Sequence, residues 1–143
     1  MKHITILVAI LLVTTNTLVA QADKILGYWE IESNNAKIVI YKQNNEYYGK
    51  TVWSSKMYEA DGKTSKKDVN NPDPKLRSRP TKNLVLLTNL KYKDGAWKDG
   101  KIYDPDSGKT YDCTVDIKNN ILEIRGYIGI ALVGYTVKWH RYK

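Results

Sequence analysis

The chain has 143 residues, a net charge of +8 and one cysteine. That length suits one domain rather than two, and a lone thiol excludes a fold stapled by intrachain disulfides. With 42% hydrophobic and 27% charged residues, the chain is neither disordered nor fibrous.

Residues 1–22 read as an export signal. Lys2 supplies a positive start, residues 4–13 are apolar apart from Thr5, and Ala20-Gln21-Ala22 has the spacing of a leader-peptidase site. The apolar run is too short to span a bilayer, so no transmembrane segment is expected. No cysteine lies near the cleavage site, which excludes a lipid-anchored product. The expected product is residues 23–143, one domain that is periplasmic or secreted. In an oxidising compartment a lone thiol is best buried. Cys113 shares a face with Tyr111, Val115 and Ile117 in a strictly alternating run, so it is expected in the core.

The remaining segments are short, rich in Val, Ile, Tyr and Trp, and bounded by turn residues. They cover 26–32, 36–42, 46–53, 83–92, 96–98, 101–103, 110–117, 121–125 and 133–142. Asn34-Asn35, Asn44-Asn45, Asp94-Gly95, Asp99-Gly100 and Asn119-Asn120 separate neighbours and tolerate positive φ. The pattern predicts an all-β fold, a single antiparallel meander of eight or nine strands. Closing it into a barrel removes the exposed edges.

Residues 54–82 break the pattern. Pro72, Pro74 and Pro80 forbid a regular ladder, and loops of this length are commonly functional. Eight basic residues here (Lys56, Lys63, Lys66, Lys67, Lys75, Arg77, Arg79, Lys82) face four acidic ones (Glu59, Asp61, Asp68, Asp73). The excess positive charge is concentrated in this long basic loop.

Catalytic and metal motifs are missing. His140 is the sole histidine after residue 22, so His-based zinc sites and H-E-x-x-H have no counterpart. There is no G-x-S-x-G and no phosphate-binding G-x-x-x-x-G-K. Asp104-Pro105-Asp106-Ser107-Gly108 hints at a calcium loop, but Val115 stands at the twelfth position, where a bidentate Glu is needed. Asp99, Asp104, Asp106, Asp112 and Asp116 fall at turns or on polar faces, where solvated carboxylates are the default. No cofactor and no metal are expected, and an enzyme is disfavoured. Nucleic acid is disfavoured as well, because the aromatics lie in strands while the charge lies in the loop. An acidic envelope polymer is the better candidate among anionic partners.

Eleven Tyr and four Trp, with no Phe, suit orienting a mostly apolar molecule inside a barrel. The same residues also suit a filled core.

The motifs resemble a known group. Gly27-Tyr28-Trp29 opens the first strand and Trp139-His140-Arg141 closes the last, a pattern similar to the calycin superfamily of lipocalins and fatty-acid-binding proteins. That resemblance implies that Arg141 packs across Trp29 as a structural closure. Tyr48 through Trp53, Asp68 through Pro80, Gly100 through Tyr111 and Arg125 through Gly129 resemble the bacterial exported family catalogued as domain of unknown function 2147, which is lipocalin-like. Two positions depart from its pattern. Thr81-Lys82-Asn83 lacks a glycine, and Tyr135 stands where a basic residue is expected after Gly134, which weakens any grip on an anionic group.

The expected function is binding of a small hydrophobic or amphipathic molecule, with an acidic head as one form. Loop 54–82 would fold over the mouth as a lid. Arg77, Arg79 and Asn71 would meet the head, and Trp53, Tyr111 and Tyr135 the apolar body. In a competing assignment Arg77 and Arg79 pair with Asp68, Asp73 or Asp104 and hold the loop down. A second function class is an envelope interaction module with a solid barrel, its basic loop docking on an acidic polymer or protein.

Overall fold

Three two-residue turns set the strand pairing at one end of the molecule. Asn44-Asn45, Asp94-Gly95 and Asn119-Asn120 all have positive φ at both positions, the type I′ geometry that matches the twist of paired strands. They join β2 (Ala36–Gln43) to β3 (Glu46–Ser54), β4 (Val85–Lys93) to β5 (Ala96–Asp104), and β6 (Lys109–Lys118) to β7 (Ile121–Tyr127). With β1 (Gly27–Ile31) and β8 (Gly134–Arg141), the strands form a closed antiparallel barrel in sequence order. The computed structural model describes residues 17–130 and 133–142. Most of the expected leader, residues 1–16, lies outside the described residues.

The barrel has eight strands because segments 96–98 and 101–103 are one strand. Asp99-Gly100, expected to be a turn, is a bulge in β5, with Asp99 at φ 60° and a register shift between Trp97 and Gly100. A Cβ at Gly100 would lie 2.4 Å from a Leu90 methyl group. The glycine therefore lets β4 pack across the bend.

One end of the barrel is plugged. Residues 17–22 are helical and lead into a single 3-10 turn, Asp23–Ile25, whose Ile25 is buried. The Trp29 indole N–H donates to the Ile25 carbonyl at 2.8 Å, and Trp97 donates to the Ala22 carbonyl at 3.0 Å. Tyr47 and Lys42 donate to the Asp23 carboxylate at 2.7 and 2.9 Å. Those two hydrogen bonds, Tyr47 first, hold the Asp23 carboxyl below its ordinary pKa. Arg141 lies 3.9 Å from the Trp29 ring centroid and donates to the Leu26 and Lys24 carbonyls. The last strand thereby locks the entry to the first.

Inward-facing Trp29, Ile40, Tyr47, Leu90, Trp97, Cys113, Val115 and Leu122 fill this half. Burial pushes the Cys113 thiol up to about 12, which makes it inert at neutral pH. Among the described residues no helix is long and apolar enough to cross a membrane.

Candidate functional site

The opposite half is hollow. A cavity of about 840 Å³ opens between the β1–β2 connection, loop 54–82, the β5–β6 turn and the β7–β8 connection. That volume falls within the range of small-molecule sites. Its apolar wall comes from the inward positions of five strands: Ile31, Leu86, Ile102, Ile124 and Val137, with Leu84 just before β4.

The space exists because small residues stand where the other half has large ones. Along β7 the inward positions run Leu122, Ile124, Gly126. Gly126 lines the cavity, and a Cβ there would meet Tyr111 and Ile102 only at ordinary contact distance. Thr51 plays the same part on β3. Trp139 marks the inner limit, since Leu122, its partner across the β7–β8 ladder, lies in the core but not in the wall.

Polar groups are few inside. The Trp139 indole N–H is buried and has no hydrogen-bond partner among the described residues. A buried donor left in this state costs about 1–3 kcal/mol. Lys56 is the one basic side chain in the wall among the described residues, and it donates to Asp106 at 2.7 Å. Asp104 also borders the cavity and accepts from the Ser107 hydroxyl at 2.6 Å. The wall therefore holds one positive and two negative groups.

Loop 54–82 is tied down by one buried carboxylate. Asp68 is fully buried and accepts from the Tyr103 hydroxyl, from Asn71 Nδ2 at 2.9 Å and from Arg79 Nε at 2.8 Å. Burial alone would raise its pKa. The hydrogen bonds from Tyr103, Asn71 and Arg79, together with the Arg79 charge, outweigh that and hold it below the ordinary value. The loop crosses the β5–β6 turn at Gly108, where a Cβ would lie 1.9 Å from the Asn70 carbonyl oxygen and φ is +71°. Asn70 Nδ2 donates to the Pro105 and Asp106 carbonyls on that turn. Lys56, Met57 and Thr81 carry the loop to the cavity edge.

The residues singled out from the sequence separate into two groups. Tyr111 and Tyr135 stand in the cavity wall. Arg77, Arg79, Asn71 and Trp53 do not. Arg79 is bound to Asp68, one of the pairings of the loop-anchoring assignment, whereas Arg77 Nε donates to the Asn71 carbonyl at 2.7 Å and not to Asp68, Asp73 or Asp104. Trp53 is turned outward by the register shift between Lys37 and Ile38 on β2, and Lys37 lies 5.6 Å from its ring centroid. Asp112 also points out, paired with Lys101 at 2.8 Å.

Sequence reasoning missed Gly126, Thr51 and Lys56. The inward run of β7 ending in glycine was the available signal for the first. Among the described residues no three His, Cys, Asp or Glu side chains come together as a metal site.

The fold is shared with a solved structure described as protein HP1028 from the human pathogen Helicobacter pylori, which belongs to the lipocalin family. The two are 28% identical, the match covers 83% of each chain, and the TM-score is 0.70. No curated protein matches the chain. The family model described as uncharacterized protein conserved in bacteria (DUF2147) matches residues 27–141, and the chain belongs to that lipocalin-like bacterial family.

Proposed function

We propose that this protein is an exported carrier that holds one small, largely apolar, uncharged molecule in the open half of its barrel. The observation that carries the reading is the cavity of about 840 Å³, walled by aliphatic side chains and aromatic rings. Its hollowness favours a carrier over an interaction module with a solid core. Export is supported by the leader-like residues 1–22.

Charge decides the ligand class. A carboxylate or phosphate head needs an unengaged cation at the wall. Lys56 is already paired with Asp106 beside Asp104, and Tyr135 replaces the basic residue expected from the family resemblance. The arginines considered for such a head serve the loop instead. An uncharged guest leaves no charge stranded against this apolar wall. Tyr111 and Tyr135 supply flat, amphipathic contact surface. Binding rather than catalysis follows, because the two wall carboxylates are engaged by Lys56 and Ser107.

Native mass spectrometry of protein purified from its own envelope tests this reading. The expected result is a co-purifying mass, extractable into organic solvent and uncharged at neutral pH. An acidic lipid in the cavity would overturn the ligand class, and a clean apo mass that takes up no apolar probe would overturn the carrier.

A further inference from the structure

The β7–β8 connection presents an apolar surface that the barrel does not use. Ile128 is 71% exposed, Ile130 61% and Val133 70%. Tyr127 precedes this group and Tyr135, 76% exposed, follows it. Large aliphatic side chains are rarely left clustered in water without a role. Ile128, Val133 and Tyr135 also belong to the cavity wall. Whatever covers the patch is therefore continuous with the cavity mouth.

We propose that Ile128, Ile130 and Val133 dock the open end of the barrel onto an anionic phospholipid bilayer, so that cargo passes between membrane and cavity without crossing water. Three observations favour a bilayer over a protein partner. Aliphatic residues flanked by tyrosines match the layering of a membrane interface, where phenol rings sit at headgroup level above an apolar insertion. Among the described residues the three aliphatic side chains fall far short of the roughly 1,000 Å² that a specific protein interface buries, but they suffice to anchor a loop that electrostatics brings to a surface.

The third observation is charge. Loop 54–82, at the same end, carries eight basic residues against four acidic ones. Lys63, Lys66, Lys67, Lys75 and Lys82 of that loop are not bound in ion pairs among the described residues. A net positive rim beside an apolar tip is attracted to anionic lipid and not to a neutral one. Docking is separate from the cargo reading, since it is measured on vesicles without cargo.

Co-sedimentation with vesicles containing phosphatidylglycerol tests the proposal, with vesicles of phosphatidylcholine alone as the reference. Wild-type protein should bind the anionic vesicles and should bind the neutral ones at least tenfold more weakly. Ile130→Asp, which lies outside the cavity wall, should lose at least tenfold in partition while keeping its melting temperature and its uptake of a neutral apolar dye. Ile130→Trp should restore or exceed wild-type partition. Equal partition of wild type and Ile130→Asp would overturn the proposal, as would no binding to either vesicle. A self-association abolished by Ile130→Asp, without vesicle binding, would assign the patch to a second copy of the chain and overturn it equally.

Discussion

The two halves of one barrel have opposite fates although the same eight strands run through both. At the plugged end, inward positions are occupied by Trp29, Tyr47, Leu90 and Trp97, and the chain entering β1 stoppers the gap. At the open end, Thr51 and Gly126 take equivalent inward positions, and among the described residues no segment enters. The indoles record the contrast. Trp29 finds the Ile25 carbonyl in the plug, whereas Trp139, at the boundary, finds no partner among the described residues. The packed core resides in the plugged half and the cavity in the other, so substitutions in the two halves should be separable.

The sharpest break in that comparison comes from Trp29→Phe. It strands the Ile25 carbonyl, opens a gap in the packed half and weakens the Arg141 contact. The expected loss is about 3 kcal/mol, measured by urea unfolding. Next comes Asp68→Ala, which leaves Arg79 without its partner and frees loop 54–82. The expected loss is about 2–3 kcal/mol, below the roughly 3–5 kcal/mol of a fully buried broken pair because Arg79 is a third exposed.

Asp68 also sets a pH signature. Its folded pKa lies below the ordinary value, so its contribution is fully present above the unfolded pKa of about 4. That contribution disappears as pH falls through the folded value. Unfolding measured against pH should show wild type losing stability in acid, with Asp68→Ala losing distinctly less.

A smaller effect is expected at the boundary. Trp139→Phe removes a donor that had no partner, so the empty protein should change by about 1 kcal/mol or less, the relief offsetting the lost volume. An equal loss in Trp29→Phe and Trp139→Phe would erase the distinction between the halves. The smallest effect concerns Cys113. Buried and protonated, it should resist labelling by a maleimide at pH 8 in the native state and react fully once unfolded.

Strand positions were largely legible in the sequence because Asn-Asn and Asp-Gly turns are local signals, and three of them are true hairpins. Asp99-Gly100 carries the same local signal, yet what makes it a bulge is Leu90 packing against Gly100 from the neighbouring strand. No local rule contains that contact. Trp53, expected against the apolar body of a ligand, is turned out by the register shift across β2. One slipped residue swaps the faces of a strand.

The loop arginines illustrate a different limit. Composition locates the charge, but the pairing of Arg79 with Asp68 depends on a fold-back eleven residues long that brings Tyr103 and Asn71 to the same carboxylate. Tyr111 and Tyr135 were found by residue type and position. The cavity itself depends on the lack of bulk at Gly126 and Thr51, which a search for functional groups overlooks.

The central claim is that the open half binds an uncharged apolar molecule, and paired dye titration tests it most directly. N-phenyl-1-naphthylamine and its sulfonated relative 1-anilinonaphthalene-8-sulfonate share a ring system and differ by one negative charge. The account expects the neutral dye to bind at about one site per chain and the anionic dye at least tenfold more weakly, a difference of about 1.4 kcal/mol or more. Gly126→Leu, which narrows the cavity beside Tyr111 and Ile102, should weaken the first signal without lowering the melting temperature. Tighter binding of the sulfonate, or undiminished binding of the neutral dye to Gly126→Leu, would contradict it.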